Sequence, residues 1–219
     1  MATHQKMPQP PEDDSRLLEV ATSSRVIQWL LCCYMRVLFC TYRLVVNDTT
    51  GAALPLNKSV GLYYIWHEHV VAGLFFLQRQ GVYGHLVCDQ TPEGQLANYC
   101  ARLFGLVPLE SNGKPSFVRR ALEALEMNRR LYLVGDGSKG PAYVLQREIP
   151  YLCARSNVPL LFVECTATSA LSFWRRWDRL KIPLPFSTIT VTIHAPQEYE
   201  FDEQNEVRKK ETPRENAHS

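Results

Sequence analysis

From residue 59 to residue 195, short apolar runs alternate with stretches of helical periodicity, and this alternation restricts the fold more than any other feature. Runs of strand length cover residues 60–66, 85–89, 106–110, 131–136, 159–167 and 187–195. Helical stretches reach to about residue 80 and cover 93–105, 116–130 and 144–157, the last interrupted at Pro150. Strands alternating with helices predict a single α/β domain, a mixed and mostly parallel sheet flanked by helices. Pro108 favours an edge or end position for the run 106–110.

Composition and charge narrow the function classes. Hydrophobic residues make up 46% of the 219 residues and charged residues 21%, which is typical of an ordered globular protein. The formal net charge is +2, too weak to indicate nucleic-acid binding, so any electrostatic partner depends on local clusters. The seven cysteines form no C-x-x-C pair and are odd in number, and we expect reduced thiols.

Four segments are predicted along the chain. Residues 1–15 are polar with three prolines and predict a disordered lead-in that lacks the features of a signal peptide. Residues 16–50 hold an amphipathic, membrane-associating helix, and residues 51–201 form the α/β domain. Residues 202–219 are almost wholly polar, and we expect this tail to fray.

The apolar segment 26–46 is interpreted as one helix. At 100° per residue, Arg25, Arg36 and Arg43 fall within about 20° of one another, and Trp29 and Tyr34 belong to a broad apolar face. Three interpretations remain open: a helix lying in a membrane interface, a helix packed on the domain, and a true membrane span. Charge confined to one face favours the first.

A histidine follows the first predicted strand, in the sequence W-H-E-H at 66–69. The carboxyl ends of strands in α/β sheets are where functional groups collect, and histidine is the usual general base near neutral pH. His67 is therefore the candidate catalytic residue, the alternative being a core histidine bonded to a backbone carbonyl. No metal is expected, because His67 and His69 lack further ligands at zinc-binding spacing.

Three other motifs stand out. The loop Gly135–Pro141 follows a strand, and its three glycines with Lys139 suit the binding of an anion, although a plain turn is the alternative. The stretch 173–186 interleaves arginine with tryptophan, which suits a lipid headgroup interface, nucleic acid, or a surface loop whose tryptophans pack down. The turn D-Q-T-P-E-G at 89–94 is explained by helix capping, with Glu93 in the first turn.

In order along the chain, W-H, D-x-x-x-E-G, D-G-S-K-G-P and S-F-W-R-R-W-D-R-L-K-I-P-L-P-F resemble a bacterial family. It is the domain-of-unknown-function 374 branch of the lysophospholipid acyltransferase-like superfamily. The similarity spans residues 59–196. It implies a glycerol-3-phosphate acyltransferase-like fold at the cytoplasmic face of a membrane. The implied reaction transfers an acyl group to a lipid hydroxyl from a thioester donor, acyl-CoA or acyl carrier protein, with no cofactor.

The superfamily's catalytic element is H-x-x-x-x-D, and the resemblance matches its histidine to His67. The position of the acid is Ala72, so another group must orient the imidazole; a backbone carbonyl, Glu68 and Glu93 are the candidates. The family's R-G-S-S stretch corresponds to residues 110–113, where Glu110 replaces the arginine. The residues expected to bind substrate are Asp136, Gly137, Ser138, Lys139, Gly140, Glu93 and Arg147, with Arg102 as a further candidate.

Three functions follow from these observations. The first is a membrane-associated acyltransferase with His67 as general base and a lysophospholipid-type or glycolipid acceptor. The second is a catalytically degenerate lipid-binding protein on the same fold, which Ala72 and Glu110 favour. The third is a nucleic-acid binder using Arg175, Arg176 and Arg179, against which the small net charge argues.

Overall fold

The computed structural model describes residues 25–48, 61–80, 84–89, 92–111, 114–127, 129–137 and 139–210. The helices are α1 (Arg25–Thr41), a 3₁₀ turn (His67–His69), α2 (Val70–Arg79), α3 (Pro92–Leu103), α4 (Lys114–Glu126) and α5 (Glu148–Ser156). The strands are β1 (Arg43–Asp48), β2 (Leu62–Ile65), β3 (His85–Asp89), β4 (Val107–Ser111), β5 (Leu131–Val134), β6 (Leu160–Ala167), β7 (Ala170–Ser172), β8 (Lys181–Pro183), β9 (Thr188–Ile193), β10 (Tyr199–Phe201) and β11 (Val207–Lys209).

Seven of these strands form one sheet in the order β1-β9-β6-β2-β5-β3-β4. Every neighbouring pair is parallel except β6 and β9, which run antiparallel. The predicted fold class, a mixed and mostly parallel sheet flanked by helices, is confirmed. β4 lies at one edge, as Pro108 indicated, because proline cannot donate a hydrogen bond to a further strand.

Both faces of the central strands β2 and β5 are buried, which explains why these strands are continuous apolar runs. Successive residues of a strand point to opposite faces, so Leu62 and Tyr63 enter two different cores. Tyr63 packs in the core that contains Phe75 of α2, and Leu62 in the core that contains Leu152 of α5. The central strands thereby lie between two layers of helices, and their ends are open for a site.

Most predicted elements are present within a few residues of their expected limits. The helix predicted over 144–157 instead begins at Glu148, and Pro150 lies in its first turn. Proline is tolerated there because the amide hydrogens of the first turn have no partner within the helix. Pro150 therefore does not interrupt this helix.

The N-terminal segment is not one helix. α1 ends at Thr41, and the chain turns at Tyr42 into β1, which pairs with β9 in parallel. Arg43 thus belongs to a strand and not to the predicted helical stripe. The side of α1 that carries Cys32 and Phe39 is buried, and the Phe39 ring packs 5.4 Å from that of Phe75. In the part of the chain that the structure describes, no helix is long and apolar enough to span a membrane.

Contrary to our expectation, the polar tail does not fray from residue 202. β11 pairs with β10 in an antiparallel hairpin, and the Asp202 carboxylate accepts the backbone N–H groups of Gln204 and Glu206 in the connecting turn. The residues after 210 and the predicted lead-in 1–15 lie outside the described residues.

Candidate active site

Two adjacent parallel strands carry the principal residues of the site to one edge of the sheet. β2 and β5 pair in register to their last residues, Ile65 and Val134. The N–H of Gly135 extends this pairing by donating to the carbonyl of Ile65 at 2.8 Å. His67 follows β2 and Asp136 follows β5, so the side chains meet at the carboxyl edge of the sheet, where α/β proteins place their ligands.

Asp136 is the carboxylate that faces the imidazole of His67. Its Oδ1 accepts the backbone N–H of His67 at 3.1 Å and lies 3.4 Å from Nδ1 of the ring. The Asp136 side chain is 1% exposed, whereas that of His67 is 24% exposed. Nδ1 is buried and has no hydrogen-bond partner among the described residues. Nε2 is consequently the ring nitrogen that remains for a substrate proton.

The loop after β5 holds the Asp136 side chain in place. The N–H of Tyr143 donates to Oδ2 at 3.3 Å, and the Gln146 side-chain amide donates to the Asp136 carbonyl at 3.1 Å. The Gln146 N–H also bonds to the Gly135 carbonyl at 2.9 Å. The Asp136 carboxylate therefore faces Tyr143 and His67, which is the position that a residue orienting the imidazole would occupy.

The tryptophan-arginine stretch packs over the same residues. The Trp177 ring meets the His67 ring edge to face, with centroids 5.2 Å apart. Gly140 lies directly against Trp177, since a Cβ built on this glycine would come within 2.5 Å of the indole. Two motifs that were separate in the sequence therefore form one wall of the site.

A buried ion pair fixes this wall. Asp178 is 2% exposed and receives two hydrogen bonds from the Arg176 guanidinium, each at 3.0 Å. Its Oδ1 also accepts the N–H of Leu180 at 3.2 Å. Burial acts to raise the pKa of the Asp178 carboxyl, but Arg176 and the Leu180 N–H outweigh it and hold that pKa below its ordinary value.

Glu68 anchors the opposite side of the site. It is 8% exposed, and its carboxylate binds the ammonium group of Lys181 on β8 and the hydroxyl of Tyr143. Its Oε2 also lies 3.5 Å from Nε2 of His69. Burial acts to raise the pKa of Glu68, but these three partners lower it below its ordinary value. Glu68, one of our three candidates for orienting His67, is instead engaged with these neighbours.

The neighbouring His69 differs from His67 in its surroundings. Burial lowers its pKa, and the charge of Lys181 lowers it further, against the opposite effect of Glu68 and Glu164. The His69 side chain is 18% exposed and its Nε2 lies beside the Glu68 carboxylate, whereas the His67 ring is 24% exposed and lies beside Asp136.

The glycine loop differs from the anion cradle that we expected. The N–H groups of Gly135 and Gly137 are already bonded, to the carbonyls of Ile65 and Val134. Lys139 and Arg147 are exposed and form no ion pair with the described residues. Any anion at this loop would therefore meet the N–H groups of Lys139 and Gly140, which have no partner in the described part of the chain.

The remaining expected residues are placed elsewhere or not described. Ala72, at the position of the family's acid, is 2% exposed within α2. Arg102 on α3 donates to the Asn98 side chain at 3.1 Å. Ser138 and the side chain of Glu93 lie outside the described residues, as does the side chain of Glu110.

An apolar cavity adjoins the site. It has a volume of about 30 Å³ and lies between α2 and the sheet. Ile65, Val70 and Val134, all within three residues of His67 or Asp136, line its near end. Gly73 lines it as well, and a Cβ at that position would come within 2.4 Å of the Ile65 side chain. The site is thus polar at its mouth and apolar behind.

This arrangement can act as a general base. A buried carboxylate beside Nδ1 stabilises the imidazolium that forms when Nε2 takes a proton, and it favours the tautomer with a hydrogen on Nδ1. The 3.4 Å separation is long for a hydrogen bond, and such contacts commonly tighten when a substrate binds. Among the described residues, no group of three or more histidine, cysteine, aspartate and glutamate side chains is arranged to hold a metal ion.

Comparisons with known proteins give three findings. No model of a protein family matches the chain. The chain is 27% identical over 177 residues to an uncharacterised protein of Rickettsia prowazekii (strain Madrid E), a match covering 78% of this chain and 80% of that protein. It is similar to the crystal structure of the 1-acyl-sn-glycerophosphate acyltransferase PlsC of Thermotoga maritima, with TM-score 0.48, 15% identity, and coverage of 84% and 77% of the two chains. The family resemblance of the motifs stays a prediction, and we infer the function from the geometry of the site.

Proposed function

We propose that this protein is an acyltransferase. It moves a fatty acyl group from a thioester donor, acyl-CoA or acyl carrier protein, to a hydroxyl of a lysophospholipid or glycolipid. The observation that carries the proposal is the pairing of a partly exposed His67 with the buried carboxylate of Asp136, 3.4 Å from Nδ1. General-base catalysis needs this combination of an accessible proton acceptor and a fixed orienting group.

In the proposed reaction, His67 is the only protein group that gains or loses a proton. The acceptor hydroxyl oxygen attacks the thioester carbonyl carbon while Nε2 takes the hydroxyl proton. The carbon–sulfur bond then breaks, the carbonyl re-forms, and the leaving thiolate takes the proton back from the imidazolium. The histidine ends in its starting state, and no further reactant is consumed.

The loop at Lys139 and Gly140 is proposed to stabilise negative charge. Their N–H groups and the Lys139 ammonium lie on the loop that also carries Asp136, and an anion there would be either the developing oxyanion or an acceptor phosphate. Gly137, Ser138 and Glu93 stay candidate substrate contacts on the motif resemblance alone, and Arg147 stays a candidate to assist the glycine loop.

The apolar cavity behind the site is the proposed location of the first carbons of the acyl chain. At about 30 Å³ it does not hold a chain, so the surrounding side chains must move when a donor binds. Its lining is aliphatic and aromatic, which is the surface that a hydrocarbon favours.

The alternative function, a degenerate lipid-binding protein, rested on Ala72 in place of an acid and on Glu110 in place of an arginine. Asp136 supplies a carboxylate at the imidazole from a different strand, so the lack of an acid at position 72 no longer argues against catalysis. The experiment below separates the two functions directly.

The test measures thiol release and acyl-lipid formation by the purified full chain, given acyl-CoA or acyl carrier protein donors with lysophospholipid or glycolipid acceptors. His67→Gln should lower kcat by roughly 10²–10⁴-fold, the usual contribution of a general base. His194→Gln is the matched control, because His194 is 40% exposed and pairs with the Glu164 carboxylate, not with Asp136. Its turnover should stay near that of the wild type.

Two results would overturn the proposal. Equal turnover of wild type and His67→Gln would remove the base. No turnover of any donor by a wild type that still binds lipid would favour the degenerate lipid-binding function.

A further inference from the structure

We infer that α1 and the segment 173–186 form one surface that docks on an anionic lipid bilayer. We call this surface the docking face. Segment 173–186 comprises the connection between β7 and β8, strand β8 itself and the turn before β9. Binding of this surface to a bilayer does not depend on the proposed acyl transfer. Only the statement that docking brings His67 to the lipid rests on the proposed function.

α1 carries apolar side chains on two sides: one side packs against the domain, and the other faces away from it. Its inner side buries Cys32, Leu38 and Phe39 against the domain. Its outer side exposes between 38% and 67% of each of seven large apolar residues: Val26, Ile27, Trp29, Leu30, Leu31, Tyr34 and Val37. A monomer in water rarely leaves a helix face of this size uncovered, so the face fits an apolar environment.

Segment 173–186 adds the most exposed aromatic residues of the described chain. Trp174 is 71% exposed and Phe186 is 79% exposed. Phe173 and Leu184 are 39% and 46% exposed. The Arg175 guanidinium lies 4.9 Å from the centre of the Trp174 ring. Tryptophan beside arginine is the combination found at the level of lipid headgroups.

Hydrogen bonds join the two parts of the docking face. The Tyr42 hydroxyl, just after α1, donates to the Pro183 carbonyl at 2.6 Å. The N–H of Phe186 donates to the Thr41 hydroxyl at 3.1 Å. The end of α1 and the turn that presents Phe186 are therefore fixed to each other, and we assign the exposed apolar side chains of both parts to one surface.

The same segment reaches the candidate active site. Trp177 lies against the His67 ring, and Lys181 binds the buried carboxylate of Glu68. The residues that contact the bilayer are thus within a few positions of residues that line the site. Docking would place the site mouth next to the lipid surface from which an acceptor hydroxyl is drawn.

Charge decides between a bilayer and a second copy of the chain. α1 contains two arginines and no acidic residue, and segment 173–186 contains four basic residues and one aspartate. The docking face therefore carries a formal net +5, of which the pairing of Lys181 with Glu68 offsets one charge, although the whole chain carries only +2. Two copies of such a face would repel each other, whereas anionic headgroups would attract it.

The experiment measures binding of the full chain to sedimented vesicles of phosphatidylcholine, with and without phosphatidylserine. The double variant Trp174→Ala/Phe186→Ala should bind vesicles at least about tenfold more weakly, since two apolar side chains no longer leave water. Met127→Ala is the matched control, because Met127 is 63% exposed but lies after α4, outside the docking face. Its binding should equal that of the wild type, and added salt should weaken the binding to phosphatidylserine vesicles.

Three results would overturn the inference: binding unchanged in the double variant, binding unaffected by phosphatidylserine, and a dimer in solution that the double variant dissociates. The last would make a second copy the occupant. His67→Gln separates this inference from the proposed function, because that variant should lose turnover and still bind vesicles as the wild type does.

Discussion

Oδ1 of Asp136 accepts the backbone N–H of His67 at 3.1 Å and lies 3.4 Å from the Nδ1 of that residue, although 69 positions separate the two along the chain. One oxygen thus holds the backbone of the histidine by a hydrogen bond and faces the ring. The contact supplies a carboxylate to the imidazole that position 72, occupied by alanine, does not provide.

Asp136→Asn should lower kcat by roughly 100-fold or more and change KM little, because the amide keeps the side chain's volume but loses the charge that stabilises the imidazolium. Steady-state kinetics with the pH dependence of kcat would measure this. Asp202→Asn is the matched control, since the Asp202 carboxylate also accepts two backbone N–H groups but lies in the β10–β11 turn. Similar losses of kcat in both variants would contradict an orienting role for Asp136.

Gly140→Ala should destabilise the site more than Gly105→Ala. Both glycines have positive φ, +66° and +82°, so an alanine at either position costs about 1 kcal/mol of backbone strain. A Cβ at Gly140 would also come within 2.5 Å of Trp177, whereas a Cβ at Gly105 has nothing within 4 Å. Thermal unfolding compares the two variants, and tryptophan fluorescence reports any displacement of Trp177. Equal losses in Tm would show that this contact adds nothing.

Asp178→Asn should lower the free energy of unfolding at neutral pH by roughly 2–3 kcal/mol. This is below the range for a fully buried pair, because Arg176 is 35% exposed. The folded pKa of Asp178 is lowered from 3.8, so its stabilisation is complete above that value and is lost as the pH falls through the folded pKa. Urea unfolding at neutral and acidic pH should show the wild type and the variant converging below about pH 4. A constant difference across this range would exclude Asp178 as the source.

Gly73→Leu should shorten the acyl chain that the enzyme prefers, since Gly73 lines the apolar cavity behind His67. Gly73→Ala is the milder control: its Cβ meets only the end of the Ile65 side chain, at 2.4 Å, which can rotate away. The measurement is kcat/KM for acyl-CoA donors of increasing length. A uniform loss for all lengths, without a change in preference, would remove the cavity from acyl binding.

Part of the site was recognisable in the chain before the fold was known. His67 follows an apolar run of strand length, and Asp136 ends another, so both were expected at the carboxyl edge of the sheet. Their contact was not predicted, and Asp136 was taken for a substrate contact. The contact between His67 and Asp136 requires β2 and β5 to be neighbours in the sheet. The hydrophobic pattern of a strand does not specify which other strand lies beside it.

The orientation of α1 and the limits of the N-terminal segment were also beyond sequence patterns. The stripe that contains Arg25, Arg36 and Arg43 was expected to be polar, yet Cys32 near that stripe is fully buried and Arg43 lies in β1. Because two sides of this segment are apolar, its sequence pattern does not indicate which side packs against the domain. Its contact with Phe75 and the pairing of β1 with β9 decided this.

What the amino-acid order determined by itself is local: where apolar runs form buried strands, where helical periodicity begins and ends, and which residue types stand at strand ends. Those properties depend on neighbours within a few positions and on the burial that each face demands. Only the tertiary structure decided the order of the strands and the packing of Trp177 against His67 and the loop that carries Asp136. It also decided the hydrogen bond from Tyr42, just after α1, to the Pro183 carbonyl. Each depends on contacts between residues far apart in the chain, which are selected by packing of the whole domain.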